Sequence, residues 1–69
     1  MDTIGRVYEL INARGVSLFA FSRESGVAYS TFATCRRRGG ELKIDTIERI
    51  CAALGISLSE FFAEGDTFS

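Results

Sequence analysis

Apolar residues recur along this 69-residue chain at intervals of three and four, and glycines interrupt the recurrence at positions 15, 26, 39, 40, 55 and 65. No stretch alternates with a period of two, so the pattern predicts helices and no strand. Five short helices follow from it. The first covers about Thr3–Ala13, capped by Asp2 or Thr3, with Ile4, Val7, Tyr8, Leu10 and Ile11 as its inward stripe. The second opens at the N-cap Ser17 and ends near Ser25, with Phe21 as its core residue, and Gly26 and Val27 follow. The third covers about Tyr29–Arg38, with Phe32 and Cys35 on one side and Tyr29, Ser30, Ala33, Thr34 and Arg37 on the other. The fourth, about Ile44–Leu54, has the cleanest stripe: Ile44, Ile47, Ile50, Cys51 and Leu54. The fifth begins with Ser57-Leu58-Ser59-Glu60, a capping box, and carries Leu58, Phe61 and Phe62 as its apolar face.

Composition narrows the picture. The length fits one domain over residues 1–69, with an ordered core of about 3–63 and a tail, 64–69, expected to fray. Apolar residues make up 46% and aromatics 12%, enough for a core at this size. Histidine is absent, which removes the imidazole base and His-based nucleophile systems and zinc sites. Cys35 and Cys51 lie on apolar stripes and read as core residues, so neither a metal nor another cofactor is expected. The longest uncharged stretch, Ser25–Cys35, falls well short of the roughly 18 apolar residues of a membrane span. The start of the chain has no basic segment ahead of an apolar run, as a signal peptide would. The expectation is a cytoplasmic, reduced protein with no membrane contact and no small-molecule substrate.

Net charge is −1, which on its face argues against nucleic acid. The distribution changes that reading. Residues 1–35 balance, residues 36–43 concentrate Arg36, Arg37, Arg38 and Lys43 against Glu41 alone, and residues 44–69 are acidic. A basic knot between a neutral front and an acidic rear can present one face to an anion.

The knot closes an informative stretch. Within residues 17–38 a helix carries the small residue Ser22, four positions later comes Gly26, then apolar Val27, then a second helix with Phe32 and Cys35 inward. A small residue lets two helices pass closely, the glycine permits a tight turn, and the apolar pair locks a crossing angle. This is the geometry of a helix-turn-helix, whose second helix can enter a DNA major groove. The chain resembles the Cro and lambda-repressor (XRE) type of helix-turn-helix family over about residues 4–62. The resemblance is carried by Ser25-Gly26-Val27, Ser30-Thr31-Phe32, Asp45-Thr46-Ile47, the run from Ile50 to Ser57, and Leu58-Ser59-Glu60-Phe61-Phe62. It implies an all-α fold, a compact five-helix bundle of the lambda-repressor-like DNA-binding kind, acting on double-stranded DNA as a homodimer to regulate, and most often repress, transcription from an inverted-repeat operator. It does not imply an enzyme.

There are departures. Leu18 stands where the family often has a glutamine that braces the recognition helix or a phosphate. Ala28 replaces the usual Ser or Thr cap, Leu42 the usual proline, and Arg36-Arg37-Arg38 a Glu-Arg-Gly. Carried over by position, the DNA-binding residues are Tyr29, Ser30, Ala33 and Thr34, with Arg36, Arg37 and Arg38 as phosphate clamps and Ser17, Thr31 and Lys43 near helix ends that face phosphate. Phe19, Phe61, Phe62 and Phe68 are candidates for a dimer or partner contact. Beside this stands a second reading, a protein-interaction module of the same fold, such as an antitoxin or regulator-antagonist with weak or no specific DNA binding.

Overall fold

A computed structural model describes residues 2–63; the tail expected to fray, Phe68 within it, lies outside the described residues. Five helices and no strand occupy that span: α1 (Thr3–Arg14), α2 (Leu18–Ser25), α3 (Tyr29–Arg38), α4 (Ile44–Leu54) and α5 (Leu58–Phe61). Local chemistry sets the starts. Asp2 accepts from the Gly5 amide, Ser17 from Ala20, and Ser57 and Glu60 form the reciprocal capping box. Ala28 and Lys43, which open α3 and α4, make no side-chain cap. The turn from α2 into α3 passes through Gly26 at φ +78°, a left-handed conformation that a β-carbon would strain.

The core gathers one stripe from each helix: Ile4, Val7 and Ile11 of α1, Phe21 of α2, Phe32 of α3, Ile47, Ile50, Cys51 and Leu54 of α4, and Phe61 of α5. Val27 and Leu42 from the connecting segments complete it. Phe21 and Phe32 meet with ring centroids 6.2 Å apart, so α2 and α3 share an aromatic contact inside the core. Ser22 of α2 is buried, and its hydroxyl donates to the Phe19 carbonyl at 2.7 Å. A small buried side chain on α2, with its polar atom satisfied within its own helix, fits the spacing read from the sequence.

Four sequence expectations need correction. Ile44 is 56% exposed rather than core; it is the first residue of α4, and Leu42, just before it, fills the core at that end. Phe62 is exposed because Phe61 takes the inward slot, with Phe62 packed edge-on against it at 5.1 Å. Cys35 is half-buried at the rim of the core, not inside it. Tyr8 and Leu10 likewise pack against the core from its edge.

Contacts distant in sequence tie the helices together. The Arg6 guanidinium donates through Nε to the Phe61 carbonyl at 2.6 Å and through Nη2 to the Glu60 carbonyl at 2.9 Å, closing the C-terminal end of α5. Arg14 Nη1 donates to the Leu54 carbonyl at 2.8 Å and does the same for α4. Thr3 clasps the segment between α3 and α4: its amide and hydroxyl donate to Glu41 at 3.1 and 2.8 Å, and its hydroxyl oxygen accepts from the Leu42 amide at 2.9 Å.

Candidate nucleic-acid interface

Helix α3 buries Phe32 and turns its opposite side outward. Ser30, Thr34, Arg37 and Arg38 stand at i, i+4, i+7 and i+8 and so share one face. Ser30, Arg37 and Arg38 are exposed, while Ala33 and Thr34 are half-buried. A groove of about 660 Å³ runs beside this face, lined among others by Ser30, Thr31, Thr34, Arg38, Lys43 and Thr46. It joins α3 to the start of α4, which Lys43 precedes and whose first-turn amides lack a side-chain cap. Uncapped amides beside hydroxyls, Arg38 and Lys43 suit an anion such as a phosphate. Thr46 was not among the residues expected from sequence; its place in the resembled motif was visible, its place on the groove was not.

The three consecutive arginines do not share one environment. Arg36 lies over the Tyr8 ring of α1, with its Cζ 4.2 Å from the ring centroid. This ring contact lies on the α1 side of the helix and sets Arg36 apart from Arg37 and Arg38. Arg6 and Arg14 are engaged by the carbonyls of α5 and α4. Arg36, Arg37, Arg38 and Lys43 are all exposed, Arg36 with its guanidinium over the Tyr8 ring. Ser17 is exposed at the head of α2; its hydroxyl accepts from Ala20 at 3.1 Å and keeps its proton for a further acceptor.

Tyr29, the first residue of α3, is 49% exposed and meets Phe19 of α2, itself 61% exposed, edge-to-face at 6.2 Å. A residue assigned to DNA and one assigned to a partner thus form one patch. Of the other aromatics placed at a partner surface, Phe61 is fully buried and unavailable to one, while Phe62 is exposed.

Neither thiol is an activated nucleophile. Burial pushes the Cys35 thiol up, helped by the charges of Glu41 and Asp2, and the thiol donates to the Gly40 carbonyl at 3.0 Å. Burial raises Cys51 as well, followed by the influence of Glu48 and Glu60. Among the described residues no cluster of His, Cys, Asp or Glu could hold a metal ion, and no helix is long and apolar enough to cross a membrane.

Two helices joined through a left-handed glycine, with the second presenting a polar and basic face, have the form of a helix-turn-helix DNA-binding domain. Residues 6–63 match the Cro/C1-type HTH DNA-binding domain, and the chain belongs to that family. The family binds DNA and is not one of enzymes. Comparisons with curated proteins and with solved structures give no match.

Proposed function

We propose that the protein is a cytoplasmic transcription regulator, acting as a repressor, that reads an inverted-repeat operator in double-stranded DNA as a homodimer. The observation that carries this reading is the face of α3 formed by Ser30, Thr34, Arg37 and Arg38, continuous with the groove that ends at Lys43 and Thr46. In the proposed complex, Ser30 and Thr34 meet base edges, Tyr29 and Ala33 supply apolar contact, and Arg37, Arg38, Thr31, Lys43 and Ser17 hold the backbone on either side. Thr46 joins that backbone set. Exposed Phe62, at the end of α5, supports a two-fold seam there.

The test is selection of bound duplexes from a random pool at two salt concentrations. The expected result is an inverted repeat with half-sites about 34 Å apart on one DNA face. Binding without an enriched motif, lost as salt rises, would leave only backbone attraction. Absence of duplex binding even at low salt, together with a stable protein complex, would favour the interaction module instead.

A further inference from the structure

Four large hydrophobic side chains are exposed among the described residues, and two of them, Phe19 and Tyr29, touch. They touch at the start of α3, the end of a recognition helix whose residues contact base edges. This apolar pair stands next to Ser30, on the helix that carries the polar and basic face. In the major groove the apolar feature that a standard base presents is the C5-methyl group of thymine. The neighbouring position, Leu18, supplies no amide to brace α3, whereas Phe19 supplies a ring set against Tyr29 at an interplanar angle of 61°.

We infer that Phe19 and Tyr29 act as a unit that reads thymine by its methyl group at the base position facing the start of α3. Tyr29 makes the contact, and Phe19 is a positioning residue that holds the Tyr29 ring. The inference rests on the DNA-binding reading and assigns Phe19 to that interface rather than to a protein seam. Sequence preference at this position comes from methyl burial, so it responds to removal of the methyl and not to salt.

The experiment uses the duplex recovered by selection and a copy in which thymine at that position is replaced by deoxyuridine, titrated with the unaltered protein, Phe19→Ala and Tyr29→Phe. One buried methyl corresponds to about a four-fold difference in affinity per half-site. The unaltered protein is expected to prefer thymine by about that factor, Tyr29→Phe to keep the preference, and Phe19→Ala to lose most of it. Phe19 is exposed, so its truncation opens no core, and a thermal melt of the variant verifies the fold. Equal affinity for thymine and deoxyuridine duplexes, or a selected half-site without thymine there, would overturn the inference while leaving DNA binding intact. A Phe19→Ala protein that keeps the preference but loses self-association would assign Phe19 to a seam between copies and overturn it too. No binding to any duplex at low salt would overturn the DNA-binding reading itself.

Discussion

Arg36 of α3 stacks on Tyr8 of α1 at 4.2 Å, so one of three adjacent arginines ties α3 to α1. An exposed cation–π contact of this kind contributes about 0.5–1 kcal/mol. Arg36→Ala is therefore expected to lower stability by about that amount in denaturant titration and to leave the salt dependence of DNA binding nearly unchanged. Arg37→Ala and Arg38→Ala should do the reverse, each flattening the slope of log affinity against log salt by about 0.9 for every phosphate it ceases to neutralise. An Arg36→Ala protein with a flattened slope would restore it to the phosphate set.

Arg6 decides whether α5 stays docked. A helix of four residues has little stability of its own, and this one is closed at its C-terminal end by two guanidinium hydrogen bonds from α1. Arg6→Ala should cost about 1.5–3 kcal/mol in chemical denaturation, the range for hydrogen bonds to a charged group. Arg6→Lys should recover only part, since an ammonium lacks the planar fork that reaches both carbonyls. Glu9→Ala should change little, because the Arg6–Glu9 pair is exposed on the glutamate side.

The clasp of Thr3 on Glu41 and Leu42 makes stability depend on acid. The Thr3 hydroxyl, then the Thr3 amide, hold the Glu41 carboxyl below the ordinary glutamate range. A carboxyl depressed in the folded state stabilises the fold above its unfolded value, and that contribution disappears as pH falls through the folded value. Unfolding followed from neutral pH into the acid range should show this loss, and Glu41→Gln should remove that component. Thr3→Val keeps the shape but strands the buried Leu42 amide, with an expected loss of about 1–3 kcal/mol at neutral pH.

What was legible in the sequence was what short-range chemistry determines. Helix periods, the glycine stops and the Ser57–Glu60 capping box are settled within a few residues of one another, and the structure has them where the pattern put them. The face of α3 was legible for the same reason, because Phe32 inward places Ser30 and Thr34 outward. The contacts of Arg6 with Phe61, Arg14 with Leu54 and Thr3 with Glu41 span 55, 40 and 38 positions, and no local pattern announces them. Periodicity also cannot foresee that a loop residue, Leu42, fills the core where Ile44 was expected, nor that one arginine of three finds a ring.

Ala28 leaves α3 with a correctable weakness. Its backbone, at φ −59° and ψ 138°, lies outside the helical region just before Tyr29, yet its methyl offers no acceptor to the first-turn amides, of which Thr31 already donates to the Ala28 carbonyl at 2.9 Å. Serine there supplies an acceptor without a change of backbone, and capping of this kind contributes about 1 kcal/mol. Because Ala28 is exposed, the added hydroxyl meets no packing constraint. Ala28→Ser is therefore expected to raise the melting temperature by about 4–8 °C for a domain of this size. The same amides are also candidates for a DNA phosphate. If a phosphate uses them, the serine competes with it, and the variant gains stability while its operator affinity falls. Thermal melts and operator titrations on one preparation separate the two effects. A gain in stability with unchanged affinity would show that the head of α3 donates nothing to the backbone of DNA.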